Sequence, residues 1–112
     1  MKIKKAVIYC RVDNGGNHEV CQLALDAQRH HLERYAAQKG IQVVGRYEDA
    51  GFSGRDMNRH SLMQMMNDYE KGIFDTVLVV NRCRLYRGNL KDEPKWAFQV
   101  VSLNQLEQDL AR

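Results

Sequence analysis

The sequence predicts a three-layer α/β domain with a mostly parallel sheet flanked by helices. Three apolar runs, at residues 5–10, 41–47 and 75–80, have the composition of buried strands. Two segments between them, residues 19–39 and 61–71, show the apolar spacing of amphipathic helices. Strand–helix–strand order with short connections implies parallel pairing and right-handed crossovers, which together define this fold class.

The first strand ends where the chain turns polar, at Arg11. A glycine-bearing loop, residues 13–17, follows it. In open parallel sheets, ligands collect in the crevice beyond the carboxyl ends of the strands. Arg11 and Asp13 are therefore candidate site residues, although an ordinary surface salt bridge at a loop start would also explain them. If the first and third strands are neighbours, Arg84 joins them in one cleft.

The first helix, residues 19–39, carries a glutamine in its apolar stripe. Gln28 lies in the middle of the face formed by Cys21, Leu25 and Leu32. Such a side chain either caps a buried backbone group or points into a polar site. We favour the polar site for Gln28. Gly40 follows the helix as a typical C-terminal residue.

A long loop separates the second predicted strand from the second predicted helix. Residues 48–59 contain two glycines and carry Arg55 and Arg59, and loops of this length are usually functional or disordered. A helix over residues 61–71 follows, in which the methionines are expected to fill the core. The third strand then leads directly into residues 81–87, which contain three arginines.

The last part of the chain is predicted to be helical. Pro94 after two acidic residues is a favourable helix start, and apolar residues continue at helical spacing to the C-terminus. We therefore expect a domain over residues 1–90, no fourth strand, and a C-terminal amphipathic helix within residues 91–112. This helix would pack on the domain or on a partner, such as a second copy of the chain.

Composition places weaker limits on function. The 112 residues carry a formal charge of +3, which permits a polyanionic partner. The three cysteines share no metal-ligand spacing, and no metal or cofactor site is indicated. A cytoplasmic protein with reduced thiols fits best, and the apolar run near the N-terminus is too short for a signal peptide or a membrane span.

Four short motifs resemble the catalytic domain of the serine site-specific recombinases, the resolvase/invertase family. Residues 9–13, Tyr-Cys-Arg-Val-Asp, match Tyr-x-Arg-Val-Ser, and residues 25–28, Leu-Asp-Ala-Gln, match the later part of Ser-Leu-x-x-Gln. Residues 50–54 followed by Asn58-Arg59 match a glycine- and serine-bearing loop leading to Asp-Arg. Residues 81–87, Asn-Arg-Cys-Arg-Leu-Tyr-Arg, match Lys-x-Asp-Arg-Leu-x-Arg. The resemblance covers about residues 5–90.

The resemblance implies DNA recombination or integration, of the kind found in mobile elements, by transfer of a phosphodiester to a serine hydroxyl. Such a reaction needs a nucleophile, a proton carrier and cations around the phosphate oxygens. The resemblance implies that the partner is DNA, bound weakly through its phosphate backbone. The family's catalytic positions correspond to six residues of this sequence: Arg11, Asp13, Gln28, Arg59, Arg84 and Arg87.

Three departures from the family pattern put catalysis in doubt. Asp13 stands at the position of the nucleophilic serine, Cys83 at that of an aspartate, and Asn81 at that of a lysine. We expect Asp13 to pair with Arg11 or Arg84, which would partly neutralise the arginines. The chain thus resembles a truncated, catalytically impaired recombinase domain that is inactive alone.

Two alternatives remain open. The first is a non-catalytic assembly or regulatory module that oligomerises with recombinase partners. The second, weaker one is a phosphate-handling α/β enzyme with Asp13 as the nucleophile. That enzyme would need further carboxylates for Mg²⁺, and only Asp49 is a candidate.

Overall fold

A four-stranded parallel sheet forms the centre of the molecule. The computed structural model describes residues 3–13, 18–51 and 59–104. In chain order the helices and strands are β1 (Ala6–Val12), α1 (His18–Lys39), β2 (Val43–Ala50), α2 (His60–Glu70), β3 (Thr76–Val79) and β4 (Gln99–Ser102). Two 3₁₀ turns, Arg82–Arg84 and Leu90–Asp92, lie between β3 and β4.

The strand order β2-β1-β3-β4 confirms the predicted α/β fold. All three neighbouring pairs are parallel. In the central pair, Ala6 lies opposite Thr76 and Ile8 opposite Leu78. The first and third strands are therefore side by side, as the expected cleft requires.

Each face of the sheet has its own apolar core because successive side chains of a strand point to opposite faces. On the α1 face, Ala6, Ile8 and Cys10 pack with helix residues such as Leu25 and Leu32. On the α2 face the core is rich in aromatic rings, and it contains Val7, Tyr9, Leu62, Met65, Phe74 and Phe98. The sheet thus lies between two helical layers.

The predicted C-terminal helix is wrong over residues 99–102, because these residues form the fourth strand. Trp96, Val100 and Leu103 have helical spacing, which suggested a helix. However, Val100 packs against the α2-side core and Val101 lies in the α1-side core. Adjacent β-branched residues on opposite faces are typical of a strand. Helical backbone starts at Leu103, and a helix beyond Asn104 stays a prediction because residues 105–112 lie outside the described part.

Strand β2 is longer than predicted and continues to Ala50. The first part of the expected loop is therefore sheet, paired with β1 up to the Val12–Ala50 contact. The rest of that loop, residues 52–58 with Arg55, lies outside the described residues. Gly40 and Gly72 follow the two helices with φ values of 68° and 79°, as helix-ending glycines do. Within the described residues, no helix is long and apolar enough to span a membrane.

Candidate functional site

The candidate site lies where the strand order changes direction. From β1 the chain passes to β2 on one side and later to β3 on the other. The crevice at such a switch point is the usual ligand site of open parallel sheets. Here the carboxyl end of β1 supplies Arg11 and Asp13, and the turn Arg82–Arg84 follows β3.

Arg11 holds this turn against the end of β1. Its side chain is fully buried. Its Nε donates to the carbonyl oxygen of Arg84 at 3.0 Å, and Nη2 donates to that of Cys83 at 2.9 Å. Nη1 forms an ion pair with Asp13. Most of the Arg11 guanidinium is thus used to fix the two strand ends together.

Gln28 supports the same strand end from α1. Its Nε2 donates to the carbonyl oxygen of Arg11 at 2.9 Å, and its Oε1 accepts a hydrogen bond from the Arg11 amide at 3.2 Å. Of the two alternatives for Gln28, the structure shows the capping one, although the residue does adjoin the site. A catalytic role for Gln28 stays a prediction.

Arg59 reaches the same turn from the start of α2. It is also fully buried. Its Nη1 donates to the carbonyl oxygen of Arg84 at 2.9 Å, and its Nη2 donates to that of Leu85. Its guanidinium lies 5.6 Å from the ring centre of Tyr9, a cation–π contact. Two buried arginines from distant parts of the chain therefore share one carbonyl acceptor.

The buried carboxylate of Asp49 also holds the strand ends in place, a role that was not predicted from the sequence. Asp49, near the end of β2, accepts hydrogen bonds from the Tyr9 hydroxyl at 2.7 Å and from the amides of Ser61 and Leu62 at 2.9 and 3.0 Å. Burial raises the pKa of Tyr9, and the bond to Asp49 raises it further, while Arg59 opposes the change. Asp49 thus links β1 to the first turn of α2.

Asp13 lies at the surface between two arginines. Its Oδ1 pairs with Arg11, and its Oδ2 accepts a hydrogen bond from Nη1 of Arg87 at 3.1 Å. Partial burial alone would raise the pKa of Asp13, but the bond from Arg11 and the charges of Arg11, Arg87 and Arg84 outweigh it and lower that pKa. The expected pairing with Arg11 is confirmed, and the second partner is Arg87.

The four predicted arginines therefore divide into two pairs. Arg11 and Arg59 are buried and donate to main-chain carbonyls. Arg84 is partly buried, and its Nη1 donates to the carbonyl oxygen of Arg11 at 3.2 Å. The side chain of Arg87 is 62% exposed. Only the second pair presents cationic surface to an incoming ligand.

Comparison with known proteins assigns the family. The model of the resolvase N-terminal domain matches residues 6–104. The chain belongs to the resolvase N-terminal domain family. The match includes β4, so the resemblance does not stop at Leu90 as the sequence motifs suggested.

Solved structures of resolvase-family domains agree with this assignment. The N-terminal catalytic domain of TP901-1 integrase is 37% identical, with a TM-score of 0.78 over 91% of this chain and 79% of its own. The C-terminal catalytic domain of ISC1926 TnpA, an IS607-like serine recombinase, is 27% identical, with a TM-score of 0.73 over 95% and 77%. A resolvase family site-specific recombinase from Streptococcus pneumoniae is 31% identical, with a TM-score of 0.62 over 76% of this chain and 58% of its own.

Asn81 and Cys83, which follow β3, shape the turn. The Asn81 side chain accepts a hydrogen bond from the Cys83 amide at 3.0 Å and caps the turn. The carbonyl of Cys83 accepts from Arg11. All three cysteines of the chain are free, and burial raises the pKa of Cys10 to about 12.

An open cavity of about 250 Å³ adjoins Arg87. Its lining includes two arginines and one glutamate, Arg82, Arg87 and Glu93. Glu93 is paired with Arg82 at 3.1 Å and accepts a hydrogen bond from the Trp96 indole at 3.2 Å. Because Arg82 and Glu93 neutralise each other, Arg87 supplies the remaining positive charge of the cavity lining.

The described residues provide little for the Mg²⁺ site that a phosphate-handling enzyme would need. They contain no group of three or more His, Cys, Asp or Glu side chains placed to hold a metal ion. Asp49, the one candidate, has both carboxylate oxygens engaged by Tyr9 and the start of α2. These contacts make Asp49 a structural carboxylate.

Proposed function

We propose that this chain is a serine-recombinase-like domain that binds the phosphate backbone of DNA without cutting it. One observation carries this proposal. The strand-end position that holds the serine in the family motif is Asp13, and its carboxylate is paired with Arg11 and Arg87. The surrounding arginines are retained while the hydroxyl nucleophile is replaced.

A carboxylate is a poor substitute for that hydroxyl. At about 4 Å, two unit charges repel by about 1 kcal/mol in a water-like dielectric, which suits a side chain as exposed as Asp13, so Asp13 opposes the approach of a scissile phosphate. It is also held by two guanidinium groups, which lowers its reactivity as a nucleophile.

The serines of the described residues, Ser61 and Ser102, offer no replacement at the strand end. The chain has three, at positions 53, 61 and 102. The hydroxyl of Ser61 donates to the Glu48 carbonyl at 2.6 Å at the start of α2. Ser102 is buried in β4. Ser53 lies outside the described residues.

Phosphate binding is supported by the accessible arginines. Arg87 is exposed, and its guanidinium suits a phosphate oxygen pair. Arg84 has a buried Nε with no hydrogen-bond partner among the described residues, so one of its donors is unused. The buried Arg59 would act indirectly, by holding the turn that carries Arg84, and Arg11 does the same as long as Asp13 is paired with it.

Binding of duplex DNA, measured by fluorescence anisotropy against salt concentration, tests this function. We expect weak affinity that falls as salt rises, with a log–log slope of about −0.9 for each phosphate contact. Arg87→Ala should weaken binding and reduce the magnitude of the slope by about one contact.

Arg46→Ala is the matched control. Arg46 is 47% exposed and is paired with Glu33 at 2.5 Å on the outer strand β2, so its loss changes the net charge equally. If Arg87→Ala and Arg46→Ala weaken binding to the same extent, or if binding does not depend on salt, the proposed phosphate site is wrong.

Assembly with a partner is a second function, and exposed apolar residues on α1 favour it. The side chains of Val20 and Leu23 are three residues apart and are 51% and 69% exposed. Such residues on one helix face fit a protein contact better than solvent. Sedimentation of the purified chain at increasing concentration tests self-association, and a monomer at all concentrations would argue against a homo-oligomer.

A further inference from the structure

The Asp13 carboxylate has the surroundings of a bound anion. One oxygen contacts Nη1 of Arg11 and the other contacts Nη1 of Arg87 at 3.1 Å. Each oxygen thus has its own guanidinium partner, which is how arginines bind carboxylate or phosphate ligands. The positive charge of Arg84 also acts on Asp13. The chain itself therefore places an anion among its retained arginines.

We propose that Asp13 is an internal competitor of phosphate, occupying the anion position between Arg11 and Arg87 that a DNA phosphate would otherwise take. This inference rests on the proposed function, because it concerns regulation of the same site. A phosphate oxygen would reach these two guanidinium groups only when the Asp13 side chain turns away.

The contact between Asp13 and Arg87 can open without rearrangement of the buried residues. The side chain of Asp13 is 44% exposed and that of Arg87 is 62% exposed, so the Asp13–Arg87 side of the bridge faces solvent. Arg11, in contrast, is fixed by the carbonyls of Arg84 and Cys83. Displacement of Asp13 therefore leaves the buried guanidinium in position, ready for another anion.

Asp13→Asn removes the charge with little change in shape and should strengthen binding of a short DNA duplex. At about 4 Å in a water-like dielectric, one unit charge changes the binding free energy by about 1 kcal/mol. That change corresponds to a gain in affinity of roughly fivefold. The measurement is anisotropy of a labelled duplex at 0.1 M salt, where charges beyond about 10 Å are screened.

Asp26→Asn is the matched control. Asp26 is 41% exposed and is paired with Arg29 at 3.1 Å, so the substitution removes the same charge from another arginine–carboxylate pair. We expect its effect to stay below twofold. In an Arg87→Ala background the gain from Asp13→Asn should largely disappear, because one of the two released guanidinium groups is then missing.

Three outcomes would overturn the inference, and they separate it from the proposed function. If Asp13→Asn and Asp26→Asn behave alike while wild-type binding depends on Arg87 and salt, the inference alone is wrong. A gain that persists unchanged without Arg87 also refutes it. If neither the wild type nor Asp13→Asn binds DNA, both are wrong. Circular dichroism checks folding, and Asp13→Ser is a second neutral variant should Asp13→Asn not fold.

Discussion

Replacement of Asp49 by alanine is expected to destabilise the domain strongly. Asp49 is 2% exposed and accepts three hydrogen bonds, from Tyr9 Oη and from the amides of Ser61 and Leu62. Alanine removes the acceptor for all three donors. It also removes a negative charge that lies near the buried guanidinium of Arg59, since both groups contact Tyr9.

The expected loss can be worked out from these contacts. Removing a side-chain acceptor at a helix N-terminus costs about 1 kcal/mol. Leaving the buried Tyr9 hydroxyl without its acceptor costs about 1–3 kcal/mol. The free energy of unfolding should therefore fall by about 3 kcal/mol, which for a domain of this size lowers the melting temperature by roughly 12 °C.

Urea unfolding followed by the fluorescence of the single tryptophan, Trp96, measures this loss. Asp49→Asn should lose less, because its one amide oxygen can replace the carboxylate oxygen that accepts from Tyr9 and Leu62, whereas its NH2 group would face the Ser61 amide. Asp68→Ala is the control, since the half-buried Asp68 on α2 accepts a hydrogen bond from the Tyr47 hydroxyl at 2.5 Å. A loss for Asp49→Ala no greater than that for Asp68→Ala would refute the structural role assigned to Asp49.

Two further predictions concern the thiols and the acid range. With a thiol reagent at pH 8, Cys10 should react only after unfolding, because it is fully buried and its pKa is raised to about 12; rapid labelling of all three cysteines in the folded protein would contradict this. The pKa of Asp13 is lowered by folding, so its stabilisation is present above the ordinary aspartate value of about 3.9 and is lost as pH falls below it. The melting-temperature difference between wild type and Asp13→Asn should therefore shrink below about pH 4, and a constant difference from pH 7 to pH 2 would argue against the ion pairs.

The sequence predicted the parts of the structure that depend on local pattern. Apolar runs bounded by turns located β1, β2 and β3, and a polar residue at a strand end located Arg11 and Asp13. Asp13 was expected to pair with Arg11 or Arg84, and it pairs with Arg11. Sequence pattern was insufficient for β4, because Trp96, Val100 and Leu103 also fit helical spacing.

The burial of the arginines could not be predicted from sequence. Arg59 donates to carbonyls 25 and 26 positions further along the chain, and only the fold brings these groups together. Asp49 had a weak signal, a carboxylate at a strand end before a helix. The partner of Gln28 is likewise a backbone group. A sequence motif shows which side chains are present, but it does not show which backbone groups they contact. Residues that face ligands and residues that support them are therefore hard to separate by motif alone.

The most direct test of the central claim is a cleavage assay on supercoiled plasmid DNA, with the products separated on a denaturing gel. Under the proposed function, the unmodified chain should produce neither nicks nor a covalent protein–DNA adduct, because Asp13 would then stand at the position of the hydroxyl nucleophile. Asp13→Ser should give at most a trace, since Asn81 and Cys83 remain at the family's lysine and aspartate positions. A 5′-phosphate adduct formed by the unmodified chain would contradict the proposal and make this domain an active recombinase.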